Sequence, residues 1–219
     1  MNRNLRPIHT AASFLASAKA VVLDFDGTIK DSMSAKADAF VSLFPDADRS
    51  IQEKIRTHHM EHGGVARTKK IPLYMTWAGI SPSPKRVEAM TAAFSATVVE
   101  RVVASPWMAG YEAISGLRHR LEHVGLISAT PCRELSAIVA ALDIDSWFDS
   151  IDGWPAEKAT VVRGLAARLS IATEQVLVIG DSSEDEESAA AAGARFVNIG
   201  SRLTSAPTEM NLRWLVTRI

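Results

Sequence analysis

The sequence has very little cysteine and no excess of charge of either sign. Cys132 is the only cysteine in 219 residues, so no disulfide can form within the chain, which favours a reducing, cytoplasmic setting. The 24 lysines and arginines nearly balance the 25 aspartates and glutamates, for a formal net charge of -1. Nucleic acids and acidic membrane surfaces attract strongly basic proteins, so we predict neither as a partner.

Long apolar stretches are also lacking. No window approaches the roughly 18 apolar residues that cross a bilayer, and polar residues interrupt the mildly apolar stretch near the amino terminus. We therefore predict neither a membrane span nor a signal peptide, but a short helix over residues 9–19. Hydrophobic residues still make up 47% of the chain, enough to bury the core of one large domain, alone or with a small insertion.

Five short apolar segments predict β-strands. The strong ones are continuously hydrophobic, which is typical of strands that are covered on both faces in a parallel sheet. Helical patterns between them predict an α/β fold, with a Rossmann-like parallel sheet as the middle of three α/β/α layers. The predicted strands are 20–24, 124–128, 148–152 (the weakest), 176–180 and 195–199. The predicted helices of this part are 110–122, 133–142, 156–169 and 184–192.

Residues 33–105 break the alternation of strand and helix. Four helical patterns without a convincing strand follow one another there, separated by glycine and proline pairs. They span 34–43, 49–61, 68–78 and 84–103. We predict that 33–105 is an α-helical cap inserted over the working edge of the sheet, and that 1–32 and 106–219 form an α/β catalytic core.

Two acidic residues follow the first predicted strand. Asp24 and Asp26 point the same way on an extended chain, and neighbouring carboxylates repel each other unless a cation or a shared proton offsets the repulsion. Such an oxygen-rich site suits Mg²⁺. Gly27 permits a sharp turn and a close approach of backbone amides to a phosphate, and Thr28 adds a hydroxyl donor. A strand that merely ends in an acidic turn is the alternative.

A second acidic pair follows the strongest apolar run, which ends at Asp181. A helix that begins just after Asp181 would direct Asp185 toward the same region, although acidic residues also cap helix starts. Between the two acidic pairs, Ser128 and Thr130 follow a predicted strand and could donate to phosphate oxygens. Lys158 lies at a predicted helix start, where its charge opposes the helix dipole unless an anion lies nearby.

Taken in order, these segments resemble the haloacid dehalogenase superfamily of phosphohydrolases. The resemblance covers about residues 18–33 and 106–200, and the insertion after the first motif resembles the helical C1 type of cap. The matching motifs are Asp24-x-Asp26-Gly27-Thr28, Ser128 after a strand, Lys158, and Gly180-Asp181-x-x-x-Asp185.

The resemblance implies a Mg²⁺-dependent phosphatase. Asp24 would attack phosphorus and form an aspartyl-phosphate, and Asp26 would protonate the leaving oxygen and then help to activate water. Ser128 and Lys158 would hold the phosphoryl oxygens. The implied metal ligands are the side chains of Asp24 and Asp181 and the backbone carbonyl of Asp26, with Asp185 in support.

The predicted cap resembles, more loosely, that of sugar-phosphate phosphatases in this superfamily. The pair Gly63-Gly64 is followed by Arg67 and Lys70, which could reach an anionic substrate. A basic helix start on the solvated surface is the alternative. The segment Ser128-Ala129-Thr130-Pro131 belongs to the same resemblance and adds Ala129 as a predicted substrate contact.

We therefore predict an enzyme that hydrolyses a small, sugar-like phosphomonoester. A dehalogenase would need neither Asp26 nor the magnesium cluster. Three alternatives stay open: a phosphotransferase or mutase, a phosphonate hydrolase with Lys69 or Lys70 as an imine-forming amine, and a non-catalytic relative that binds a metabolite.

Two further features allow weaker hypotheses. His58 and His62 lie one helical turn apart and could bind a metal, but no third ligand follows at a recognisable spacing. Apolar residues near the carboxyl terminus either pack on the sheet or form a dimer contact, so the oligomeric state is not predicted. These residues are Leu212, Trp214, Leu215 and Val216.

Overall fold

The structure is a computed structural model that describes residues 16–199, 212–217 and 219, without the side chains of Trp214 and Val216. Most of the predicted helix 9–19 therefore lies outside the described residues. Within the described part of the chain, no helix is long and apolar enough to cross a membrane.

A five-stranded sheet lies at the centre of the fold. Its strands are β1 (Ala20–Leu23), β2 (His123–Pro131), β3 (Ser150–Trp154), β4 (Val176–Gly180) and β5 (Arg195–Asn198). Their order is β3-β2-β1-β4-β5, and all neighbouring strands are parallel. The chain places β2 and β3 on one side of β1, and β4 and β5 on the other side. The direction of winding therefore reverses next to β1, and ligands of such sheets bind beyond the carboxyl ends of the strands at this point.

Four α-helices lie within residues 33–104, where the sequence predicts four helices. They are α1 (Met33–Val41), α2 (Arg49–Glu61), α3 (Arg67–Trp77) and α4 (Pro84–Ala104). We call residues 33–104 the helical insertion. Its buried aromatic residues Phe40, Tyr74 and Phe94 belong to the same hydrophobic cluster as Val21 and Leu23 of the sheet, so the insertion is packed against the sheet.

Helices cover both faces of the sheet. α5 (Cys132–Ala141), a 3₁₀ helix at Tyr111–His119 and α8 (Leu212–Val216) pack on the face of Val21 and Leu23. α6 (Lys158–Leu169) and α7 (Ser183–Ala192) pack on the opposite face, against Ala20 and Val22. Because β1 is buried on both faces, its sequence is continuously apolar. The predicted three-layer α/β fold is confirmed.

Some predicted boundaries differ from the structure. The segment predicted as helix 110–122 is the shorter 3₁₀ helix, which contains the poor helix former Gly116. β2 continues past Ser128 to Pro131, with an irregularity in its pairing to β3 between these two residues. Leu212 and Leu215 are buried in the hydrophobic cluster of the sheet, as the packing alternative predicts.

Candidate active site

The turn after β1 carries the first acidic pair. The backbone N–H of Asp24 donates to the carbonyl of Ile179 at 2.8 Å, so β1 and β4 end side by side. Gly27 has a φ of +80°, and a Cβ on it would lie 2.1 Å from Oδ2 of Asp181. Only glycine therefore lets this turn approach the second acidic pair so closely.

Three carboxylates converge beyond the ends of β1 and β4. Asp24, Asp181 and Asp185 each offer an oxygen, and these oxygens lie within 4.8 Å of one another. Asp185 also caps α7, because one of its oxygens accepts from the backbone N–H (3.2 Å) and the hydroxyl (2.6 Å) of Ser182. Helix capping and convergence of carboxylates, treated as alternatives for this segment, occur together.

Lys158 joins two of these carboxylates. It begins α6, and its ammonium donates to Oδ1 of Asp24 at 2.6 Å and to Oδ1 of Asp185. Burial lowers the pKa of Lys158, but the two carboxylates outweigh burial and raise it above its ordinary value. These anions explain a lysine at a helix start, where the dipole alone disfavours it.

The carboxylate cluster keeps an excess of negative charge even with Lys158 in place. Burial raises the pKa of Asp24 well above its usual range; Lys158 opposes this rise, and Asp185, Asp181 and Asp26 add to it. A divalent cation with a preference for oxygen ligands would offset this repulsion. The set of donors fits such a cation, because all three are hard carboxylate oxygens, two just after strand ends and one in the first turn of α7.

Asp26 is held by four side chains. Its carboxylate accepts hydrogen bonds from Ser32 and Lys36 at 2.5 Å, Ser128 at 3.2 Å and Thr130 at 3.3 Å. Lys36 also donates to the hydroxyl of Thr130 at 2.7 Å. Although burial acts to raise the pKa of Asp26, Lys36 and the hydroxyl donors outweigh it and lower that pKa.

Lys36 was not among the site residues predicted from the sequence. It lies on α1, ten positions after Asp26, and is a buried cation in an otherwise largely apolar helix. A lysine on the apolar face of the first helix after the acidic turn was the available signal, but the pattern alone does not say which neighbour that face contacts.

Both residues of the first acidic pair and Asp181 of the second line one cavity, which we call the acidic cavity. Its lining includes Asp24, Asp26, Ser128, Ala129, Lys158 and Asp181, together with Gly63 and Gly64 of the helical insertion. The hydroxyl of Thr28 is buried and has no hydrogen-bond partner among the described residues, so its predicted contact with phosphate stays a prediction.

The loop of Gly63 and Gly64 packs tightly over this cavity. A Cβ on Gly63 would lie 2.5 Å from Cε of Met33, and a Cβ on Gly64 would lie 2.9 Å from Cβ of Glu184 in α7. Glycine at position 63 therefore lets the loop pack closely on α1 of the insertion, and glycine at position 64 lets it approach α7 of the core more closely than a side chain would allow.

Arg67 and Lys70 are buried rather than solvated. The guanidinium of Arg67 donates to Glu134 of α5 at 2.9 and 2.5 Å and to Ser95 at 3.0 Å. The ammonium of Lys70 lies 2.9 Å from Nδ1 of His59. The alternative of a basic helix start on the surface is therefore wrong for these two residues, and their contact with substrate stays a prediction.

A second cavity, which we call the basic cavity, lies on the insertion side of Asp26. Its ionisable lining residues are Asp26, Lys36, His59, Arg67 and Lys70. Asp26, Gly63 and Ala129 line both cavities, so the two cavities lie side by side.

His58 and His62 do not form a metal site with a third ligand. Nδ1 of His58 lies 2.9 Å from the hydroxyl of Tyr74, and the two histidine rings are 4.6 Å apart. In the described part of the chain, the aspartate cluster is the only group of three or more acidic, histidine or cysteine side chains with ligand spacing.

Comparison with solved structures supports the fold. A predicted phosphoglycolate phosphatase from Haemophilus somnus is 18% identical, with a TM-score of 0.68 over 83% of this chain and 85% of that one. CbbY from Rhodobacter sphaeroides, solved with phosphate, is 17% identical, with a TM-score of 0.67 over 84% and 86%. A candidate β-phosphoglucomutase from Thermotoga maritima is 20% identical, with a TM-score of 0.63 over 91% and 97%.

Sequence comparison gives the family. A search of curated proteins gave no match. The family model of haloacid dehalogenase-like hydrolases matches residues 21–199, which span the sheet, both acidic pairs and the helical insertion. The chain therefore belongs to the haloacid dehalogenase-like hydrolases.

Proposed function

We propose that this hydrolase cleaves a small-molecule phosphomonoester, with a divalent cation, through an aspartyl-phosphate on Asp24. The observation that carries the proposal is the arrangement around Asp24. Its carboxylate lies at the end of β1 between Lys158 and two further carboxylates, and Asp26 lies two residues away in the same cavity. The proposed nucleophile Asp24, the proposed acid and base Asp26, and the ammonium of Lys158, which would bind the phosphate, therefore line one cavity.

Asp24 has the position of a nucleophile. A carboxylate oxygen of Asp24 would form a bond to phosphorus while the bond from phosphorus to the leaving oxygen breaks. Lys158 and Ser128, which line the same cavity, would donate to the phosphoryl oxygens. The enclosed cavity under Gly63 and Gly64 would exclude bulk water during this step.

Asp26 has the position of the acid and base. It would give a proton to the leaving oxygen, and would later take one from the water that attacks the aspartyl-phosphate. Lys36 favours the ionised form that the second role needs. A bound phosphate would oppose Lys36 electrostatically and favour the protonated form that the first role needs.

The divalent cation, for which we propose Mg²⁺, would supply positive charge that offsets repulsion between Asp24 and the phosphate. The side chains of Asp24 and Asp181 and the backbone carbonyl of Asp26 would hold it, with Asp185 in support.

A mutase is the second candidate function, because one structural neighbour bears that name and is covered over 97% of its length. In a mutase the phosphoryl group would pass from Asp24 to a sugar hydroxyl rather than to water. Product analysis separates the two: a mutase gives an isomeric sugar phosphate, and a phosphatase gives inorganic phosphate.

The test is a phosphate-release assay on a panel of sugar phosphates, nucleotides and phosphorylated acids, with Mg²⁺ and with a chelator. We expect chelator-sensitive release from one chemical group of substrates. Asp24→Asn should abolish release, and Asp46→Asn, at an exposed site of the insertion, should leave it unchanged. Release that persists in a folded Asp24→Asn protein would overturn the proposal.

A further inference from the structure

Lys70 is a buried cation without an acidic partner. Its side chain is 1% exposed, and its ammonium contacts Nδ1 of His59 at 2.9 Å and the carbonyl of Gly63 at 3.4 Å. The other two cations of the basic cavity are paired, Lys36 with Asp26 and Arg67 with Glu134. Among the described residues, no carboxylate forms an ion pair with Lys70.

His59 adds an unsatisfied donor to the same wall. A charged Lys70 has only hydrogens to donate, so Nδ1 of His59 accepts and Nε2 carries the ring proton. Nε2 of His59 is buried and has no hydrogen-bond partner among the described residues. Burial and the nearby ammonium groups of Lys70 and Lys36 lower the pKa of His59 well below its usual range, so the ring stays neutral.

This arrangement is costly for the folded protein. Burial is the main reason that the pKa of Lys70 falls to about 7; Lys36 lowers it further, and the carboxylates of Glu184 and Asp26, which form no ion pair with Lys70, oppose the fall only in part. An unpaired charge and an unmade hydrogen bond in the interior both lower stability. Both deficits would be relieved by one group, an anion in the basic cavity that accepts from Lys70 and from His59.

We propose that His59 and Lys70 form a subsite for a second negatively charged group of the substrate, a carboxylate or a further phosphate. The proposal deepens and rests on the proposed phosphatase function. The basic cavity shares the lining residues Asp26, Gly63 and Ala129 with the acidic cavity, so the second anion and the reacting phosphate would be held side by side. The favoured substrates are then phosphomonoesters that carry a second anion, rather than sugar phosphates whose only anionic group is the phosphate to be cleaved.

Matched substrate pairs test this specificity. 3-Phosphoglycerate and glycerol 3-phosphate differ by a carboxylate, and fructose 1,6-bisphosphate and fructose 6-phosphate differ by a phosphate. We expect the wild-type kcat/KM to favour the anionic member of at least one pair by about tenfold or more, the range expected for hydrogen bonds to a charged group. The pair that shows the preference identifies the anion.

Lys70→Met should bring that ratio close to one by lowering kcat/KM for the anionic member alone. Lys85→Met is the control, because Lys85 is an exposed lysine of the insertion that lies outside the basic cavity, and it should keep the ratio. A wild type without preference in either pair would overturn the proposal. So would a Lys70→Met protein that loses activity equally on both members.

A binding experiment separates this proposal from the proposed function. In calorimetry with Mg²⁺, Asp24→Asn protein should bind 3-phosphoglycerate about tenfold more tightly than glycerol 3-phosphate, or fructose 1,6-bisphosphate about tenfold more tightly than fructose 6-phosphate. Adding Lys70→Met, or His59→Phe as a second variant, should remove this difference. Should the wild type release no phosphate, this binding difference would still support the subsite, and its absence would refute it.

Thermal unfolding separates a binding role from a structural one. Removal of a buried, unpaired charge should leave the Tm of Lys70→Met equal to or above that of the wild type. A markedly lower Tm would show that Lys70 supports the fold, and would contradict the proposal.

Discussion

The sheet edge and the helical insertion face the same region with opposite charge. The four carboxylates of the sheet edge are Asp24, Asp26, Asp181 and Asp185. The three buried cations of the insertion are Lys36, Arg67 and Lys70. Each region buries charge that it does not fully balance by itself. A metal cation would balance the negative charge of the sheet edge, whereas the anionic parts of a substrate would balance the positive charge of the insertion.

The two lysine–aspartate pairs show how the regions differ. Lys158 belongs to the core and contacts the proposed nucleophile Asp24, whereas Lys36 belongs to the insertion and contacts the proposed acid and base Asp26. We therefore expect substitutions in the core to remove turnover of every substrate. Substitutions in the insertion should instead have smaller effects, on the release of phosphate from Asp24, on substrate preference or on stability.

Loss of the core cation should give the largest effect. Lys158→Met leaves Asp24 and Asp185 without their shared donor and removes a donor to the phosphate. We expect kcat to fall by about 10²–10³ on every substrate in steady-state assays with Mg²⁺. Lys85→Met, at an exposed lysine of the insertion, should have no effect. A kcat within threefold of the wild type would contradict the role proposed for Lys158.

Loss of Lys36 should give a smaller effect that does not depend on the leaving group. Lys36→Met removes the ammonium that keeps Asp26 ionised, so the attack of water on the aspartyl-phosphate, a step common to all substrates, should slow and lower kcat about 10²-fold. Steady-state assays should therefore give similar losses of kcat on alkyl phosphates and on p-nitrophenyl phosphate. A loss confined to alkyl phosphates would show that Lys36 acts instead on the protonation of the leaving oxygen by Asp26.

The pair between Arg67 and Glu134 joins the insertion to the core. Because both side chains are largely buried, a double-mutant cycle with Arg67→Met and Glu134→Gln should give a coupling energy of about 1–3 kcal/mol in the free energy of unfolding. The pair of Arg56 and Asp38, which lies within the insertion and is more exposed, should give below about 0.5 kcal/mol. Urea denaturation measures both. Equal coupling energies would remove the distinction.

Two glycine substitutions should give the smallest effects, since one should lower kcat/KM and the other should raise the free energy of unfolding. Gly64→Ala places a Cβ against Glu184 and should lower kcat/KM about tenfold by lifting the loop from the core. Gly164→Ala, inside α6 with open space around it, should raise the free energy of unfolding by about 0.5–1 kcal/mol without kinetic change. An unchanged kcat/KM in Gly64→Ala would show that catalysis does not depend on the close contact of this loop with Glu184.

Most of the core could be predicted from the sequence. Strands such as Val176–Gly180 are short, apolar on both faces and followed by polar residues, and these are local properties that the sequence displays directly. Helix bounds in the insertion were predicted within about two residues, because glycine and proline pairs mark them. The 3₁₀ helix at Tyr111–His119 was predicted only as a helix over 110–122, because apolar residues three positions apart lie on one face of either kind of helix.

The sheet, the two acidic pairs and the family resemblance follow from the amino-acid sequence, because strand periodicity and motif spacing are properties of the chain in order. The partners of the insertion's cations follow only from the way in which the chain packs in three dimensions. Lys36 reaches Asp26, Arg67 reaches Glu134 and Lys70 reaches His59. A helical pattern shows which face is buried, but the neighbour that this face meets depends on how helices pack in three dimensions.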